Sequence, residues 1–270
     1  MAVAAVVAAL RRRPELNDAG ALESATETLS LGEGPDAAFD DGGLPAQGAH
    51  EVSAAAPGEE AAAALFALGV ATRRLAGKPG RMGLFVQEAE AGNEGGLLYG
   101  PGLHALGMDP DRWVMVTARD GPGVLRVVDE ATRCGAPAAV VAELRRGAAR
   151  LDLKTTRRFN LAGARTGTTA VLVTPEPAGT SAALTRWRVR AGASRGPAPG
   201  LLGAPALQLE LTRNRHGRPG AWTVEWNPDE RLFQRPAGGL PLARPLADGS
   251  FGPGGDEHEG QAHRRRRQVG

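Results

Sequence analysis

The chain has 270 residues, with 32 Lys and Arg against 30 Asp and Glu, for a net charge of +2. That length buries a full core, and the near-neutral balance leaves the chain as a whole without the electrostatic footprint of a nucleic-acid binder. Its single cysteine, Cys134, excludes an internal disulfide, and no run approaches the roughly 18 apolar residues of a membrane span; a soluble cytoplasmic protein with no membrane contact is expected.

The start, MAVAAVVAALRRRPEL, is apolar and then basic, the reverse of a signal peptide. Residues 3–13 suit a short amphipathic helix that stops near Pro14. Residues 15–42 are acidic and small and close on GEGPDAAFDDGG, which reads as a linker, so the core is expected to begin near Gly43. From there strand and helix signals alternate. Residues 49–53 form a short strand and 59–76 a helix with Leu65, Leu68 and Leu75 on its apolar side. Strands follow at 82–87, 113–118, 138–144 and 168–175. Helices are expected just after Pro101 and over 122–135 and 152–167, the last two closed by glycine. Apolar strands separated by helices argue for a mostly parallel, doubly wound α/β sheet. ALTRWRVRAG reads as half helix, half strand. Residues 206–226 read as an antiparallel hairpin turning at RNRHGRPG, with Leu207, Leu209 and Leu211 on one arm and Trp222, Val224 and Trp226 on the other. Residues 228–270, rich in Pro, Gly and charge, read as a disordered tail.

The stretch EVSAAAPGEEAAAAL, residues 51–65, has the layout of a phosphate-binding loop: strand, small-residue loop with Gly58, helix. Such a loop works through glycines that expose N–H groups, a lysine on the phosphates and a Ser or Thr hydroxyl on Mg²⁺. In one register Glu60 and Ala61 take the lysine and hydroxyl positions; shifted by one, Glu59 and Glu60 do. Neither supplies a cation or a hydroxyl, and Ala54 stands at the first loop glycine. A carboxylate facing a triphosphate is repelled by a few kcal/mol at about 4 Å and an effective dielectric near 20. No ATP cofactor and no catalysis are therefore expected. Gln87, Glu88 and Glu90, beside Glu59 and Glu60, suggest an acidic mouth suited to a basic partner. His50, His104, His216, His258 and His263 show no metal-ligand spacing, so no metal is expected.

Four basic clusters stand out: Arg145 with Arg146; Arg157 with Arg158; Arg213, Arg215 and Arg218 in the hairpin turn; and Arg264, Arg265, Arg266 and Arg267 in the tail. Each reads either as solvated surface charge or as a contact with acidic or phosphate groups. The hairpin arginines are the better candidates for a protein partner and the tail arginines for nucleic acid. Arginine in excess over lysine (Lys78 and Lys154 are the only lysines) is what GC-rich coding produces and says nothing about phosphate.

Residues 40–226, through GGLPAQGAHEV, the 98–144 stretch and the final hairpin, resemble the RecA core. LYGPGLHALGMDPDRWVMV, LDLKTTRRF, TRWRV and LTRNRHGRPGAWTVEW together resemble more closely the ImuA family of RecA-like proteins. The resemblance implies a RecA-like core over 43–227. It also implies a role in the SOS response and damage-induced translesion synthesis, beside a Y-family polymerase-like partner of the ImuB type and an error-prone C-family polymerase, with RecA as a further candidate. It places Glu143 where RecA has its magnesium-liganding Asp. Only AELRRGAAR follows Val141 and TPEPAGTS follows Val173, both far shorter than RecA's DNA loops, so direct DNA binding is expected to be weak or absent. By the same resemblance the N-terminal helix docks on another RecA-fold subunit; packing on its own core is the other reading. The competing functional readings are a divergent RecA-like ATPase using Glu143 and a DNA-binding recombination mediator.

Overall fold

The computed structural model describes residues 27–90, 96–145, 151–177, 179–194 and 203–236. Its centre is a sheet of nine strands in the order β11-β10-β9-β8-β3-β7-β6-β4-β5. Here β3 is Gly48–Ala54, β4 Met82–Glu88, β5 Trp113–Ala118, β6 Pro137–Glu143, β7 Thr169–Thr174 and β8 Thr185–Ala191; β9 is Ala206–Asn214, β10 Gly220–Asn227 and β11 Leu232–Gln234. The run from β5 to β8 is parallel and β8 to β11 is antiparallel. This is an α/β, RecA-like core with a C-terminal antiparallel hairpin.

Every residue of β3 is buried, as expected for a strand covered on both faces. Its alternate residues feed two cores. Val52 lies with Phe85, Val141 and Val171 under the long helix α2 (Glu60–Ala76). Ala49 lies with Leu84, Val140 and Leu172 under α4 (Gly121–Cys134) and α5 (Leu153–Thr166). Those two helices use the same start and stop. Asp120 accepts from Gly123 N–H at 2.8 Å and Asp152 from Thr155 N–H at 2.7 Å; Gly135 and Gly167 then close them in the left-handed region. On α2, Gly69 lets the rings of Phe233 and Trp226 lie against the helix, since a Cβ there would meet Phe233 at 2.5 Å. Phe66, Trp187, Trp226 and Phe233 form an aromatic cluster under that helix.

Several sequence expectations change. The body extends to both sides of the expected core. Residues 28–42, read as linker, contain β1 (Thr28–Leu29) and the one-turn helix α1 (Glu33–Asp36); β1 pairs with β2 (Leu44–Pro45), and Leu29, Leu31 and Phe39 are buried. At the other side β11 continues the sheet past 227, with Phe233 N–H donating to Leu31 O at 2.8 Å. Small residues and glycines masked this segment, because its few apolar side chains lack a period. The stretch 185–191 is strand throughout: Thr185, Trp187 and Val189 point in, and Arg186, Arg188 and Arg190 point out. Trp187 and Trp226 are buried, their indole N–H groups donating to Thr185 Oγ1 and Leu106 O. Met108 is core, whereas Met115, on the edge strand β5, is exposed. The expected N-terminal helix and the tail beyond residue 236 lie outside the described residues. Among the described residues no helix is long and apolar enough to cross a membrane.

Candidate functional site

In an open α/β sheet, ligands bind beyond the carboxyl ends of the strands where strand order reverses. Here the chain leaves β3, crosses with α2 to β4 on one side, and later places β7 and β8 on either flank of β3. The loop 55–59 and the head of α2 lie at that point. Beside them is a cleft of about 420 Å³ between α2 and α3 (Gly100–Ala105), lined by Gly58, Glu60, Ala61, Leu65, Gln87 and Glu143 among others.

Gly58 has φ of +90° and open space around it, so glycine serves the backbone turn there. Glu59 occupies the N-cap position of α2 without capping it. Its carboxylate turns aside instead and accepts from Ala191 N–H at 2.7 Å. Glu60 is the first residue of α2, and Ala61 next to it is exposed. A helix N-terminus carries a partial positive charge that favours an anion. In this chain Glu60 supplies a carboxylate in that first turn.

Glu143, at the end of β6, reaches the same cleft. Arg145 Nε lies 3.4 Å from its Oε1, and Arg145 N–H donates to Glu88 Oε1 at 3.0 Å. Burial pushes the Glu143 carboxyl above its usual range; Arg145 opposes this, while Glu60 and Glu88 add to it. The acidic mouth is thus internally engaged: Glu59 on Ala191, Glu88 on the Arg145 backbone, Glu143 on the Arg145 side chain. Arg145 is the cleft residue that sequence reading filed only as a surface cluster. Its place two residues past Glu143 at a strand end was the available signal. The exposed Leu97 and Tyr99 at the cleft mouth were also missed.

The structure therefore joins Gly58, Glu60, Ala61 and Glu143 around one cleft and leaves the hairpin arginines elsewhere. Arg213 is half-buried, donates to Ser181 O at 2.8 Å, and burial holds its guanidinium below the usual range. Arg215 and Arg218 have exposed side chains, and the turn that carries them is stitched to residues 38–40, with Arg218 N–H donating to Ala38 O at 2.9 Å. Arg264, Arg265, Arg266 and Arg267 lie outside the described residues. Among the described residues no group of three His, Cys, Asp or Glu is placed to hold a metal ion. Two cations stand at this end of the sheet: Arg188 Nη2 donates to Ala55 O of the loop at 3.2 Å, and Arg145 is paired with Glu143.

The sheet order and the crossing helices define a RecA-like protein. No family model matches the chain. Over 214 residues it is 36% identical to Protein ImuA of Caulobacter vibrioides (strain NA1000 / CB15N), an alignment that covers 74% of this chain and 84% of that protein. The figures are the same for Protein ImuA of Caulobacter vibrioides (strain ATCC 19089 / CIP 103742 / CB 15). The chain belongs to the ImuA family.

Proposed function

We propose that this protein is a non-catalytic RecA-like factor of damage-induced mutagenesis. It acts by protein contact with a Y-family polymerase-like protein and an error-prone C-family polymerase during translesion synthesis, and RecA is a further candidate partner. Family membership supports the pathway. The observation that carries the non-catalytic reading is the head of α2, where Glu59 is held on Ala191 and Glu60 puts a second carboxylate in the first turn in place of a lysine. The ion pair of Glu143 with Arg145 at 3.4 Å supports the reading that Glu143 does not restore a metal site. Short connections after β6 and β7 support weak or absent direct DNA binding. Among the hairpin arginines, Arg215 and Arg218 are the partner-facing candidates, while Arg213 serves the fold.

The test is steady-state phosphate release with Mg-ATP, with and without single-stranded DNA. No turnover is expected. Turnover abolished by Glu143→Ala would establish a divergent ATPase instead, and DNA-stimulated turnover a recombination mediator. A pull-down of the Y-family polymerase-like protein, weakened by Arg215→Glu with Arg218→Glu, checks the partner reading.

A further inference from the structure

The face of the sheet opposite α2 carries a second concavity. α4 and α5 lie side by side there, and the furrow on their outer side measures about 480 Å³. Arg133 of α4 and Lys154, Arg157, Arg158 and Arg165 of α5 line it, with Leu161 and Ala162 as its apolar wall. Two carboxylates stand near this set. Asp129 takes Arg158 Nε at 2.6 Å and Arg133 Nε at 3.3 Å. Asp152 is engaged by Thr155 N–H as the cap of α5. Lys154 interacts electrostatically with Asp152, while Arg157 and Arg165 have no ion pair or side-chain hydrogen bond among the described residues.

The same helix side presents large apolar groups to solvent. Leu161 is 64% exposed and Leu153 49% exposed. Leu153, Arg157 and Leu161 follow one another at i,i+4 spacing, and Arg165 continues the row, so leucines and arginines alternate along a single stripe. A lone exposed leucine needs no explanation. Two on a stripe of exposed cations describe a surface with two recognition elements. A phosphate backbone engages the cations and leaves the leucines in water. A peptide with carboxylates flanking a large apolar side chain engages both: the apolar group is buried on Leu161 and the carboxylates meet Lys154, Arg157 and Arg165.

We propose that the α4–α5 furrow docks an acidic segment of a partner protein, one with large apolar residues among its carboxylates, laid along α5. The site lies on the other face of the sheet from the cleft, and Arg213, Arg215 and Arg218 are not among its lining residues. It deepens the reading of this chain as a protein-contact factor, on which its biological sense rests. The furrow's binding is measured without reference to ATP or to any polymerase, so the two readings fail separately.

The experiment is fluorescence anisotropy on the full chain with three probes. They are a short fluorescein-labelled acidic peptide with two leucines on one side, the same peptide with serines in place of the leucines, and a single-stranded oligonucleotide of equal charge. The leucine peptide is expected to bind roughly tenfold tighter than the serine peptide. Leu161→Asp, at an exposed position, should erase that difference. Arg157→Glu with Arg165→Glu should weaken the leucine peptide roughly tenfold, whereas Arg215→Glu with Arg218→Glu leaves it unchanged. Circular dichroism verifies that each variant is folded. Equal affinity for both peptides, no saturable binding, or indifference to Leu161 would overturn the proposal. Tighter oligonucleotide binding that depends on Arg157 and Arg165 would overturn it in favour of a nucleic-acid surface.

Discussion

Ala191 N–H donates to Glu59 Oε2 at 2.7 Å, tying the end of β8 to the head of α2. The residue beside the phosphate position thus serves as a strut between two elements of the fold. Glu59→Ala removes the acceptor and is expected to lower stability by about 1 kcal/mol, the usual worth of one such hydrogen bond. Thermal unfolding should move down by roughly 3 °C for a domain of this size. The same variant should gain no affinity for Mg-ATP, read by isothermal titration calorimetry, since Glu60 still puts a carboxylate in the first turn of α2.

Glu143 gives a pH signature. Its carboxyl is raised in the folded state, chiefly by burial. The folded protein therefore holds this proton more tightly than the unfolded chain. Its contribution to stability is full below the unfolded carboxylate pKa and is lost as pH rises through the raised value. Glu143→Gln keeps the shape and removes the titration. Stability measured by urea unfolding should fall less steeply with rising pH in the variant than in the parent over that window. Identical slopes would show that Arg145 already offsets the burial.

His50 acts at a different end of the pH scale. It is fully buried in β3, with Nδ1 2.8 Å from Thr185 Oγ1 and Nε2 3.0 Å from Pro45 O. Burial lowers its pKa to about 4 from 6.5, against the hydrogen bond to Pro45. The neutral ring is the folded form, so its stabilisation is present above about pH 6.5 and is lost as pH falls toward 4. Over that interval the loss amounts to about 3 kcal/mol. His50→Gln should be less stable at neutral pH and should lose less on acidification, read as Tm against pH.

Much of this architecture was legible because its signals are local. Asp120 and Asp152 before the helices, Gly135 and Gly167 after them, and unbroken apolar runs in β6 and β7 fix the alternation of a doubly wound sheet. The loss of the phosphate loop's cation was readable from Glu59, Glu60 and Ala61 alone. What could not be read depends on distant partners. β8 lies between β3 and β9, and its alternation of Thr185, Trp187 and Val189 with arginines carries a strand signal that the neighbouring helix-like ALT obscured. Residues 28–42 join the body through Leu29, Leu31 and Phe39, three side chains spread over a small-residue segment. Likewise Arg145 becomes part of the cleft, and Leu161 part of a basic furrow, only once the sheet has placed their neighbours.

Arg74 shows how tightly that N-terminal segment is held. It sits in the last turn of α2, fully buried, with Nη1 2.6 Å from Glu27 Oε1 and Nη2 donating to Gly167 O at 2.7 Å. One guanidinium thus joins the start of the described chain, the long helix and the end of α5. The two partners differ in exposure: the Arg74 side chain has none, while Glu27 keeps about a third of its surface and also lies 3.4 Å from Lys78 Nζ. Removing the buried partner vacates its volume and strands the Gly167 carbonyl; removing Glu27 leaves a buried cation. Breaking a buried pair by losing one member costs about 3–5 kcal/mol. Arg74→Ala should therefore lower Tm on the order of 10 °C. Arg74→Met, which keeps most of the volume, should lose less. Glu27→Gln, which keeps a hydrogen-bond acceptor near the guanidinium, should be mildest. A double-mutant cycle of Arg74→Met with Glu27→Gln isolates the pair, and coupling below about 0.5 kcal/mol would show that Arg74 acts through packing and Gly167 alone.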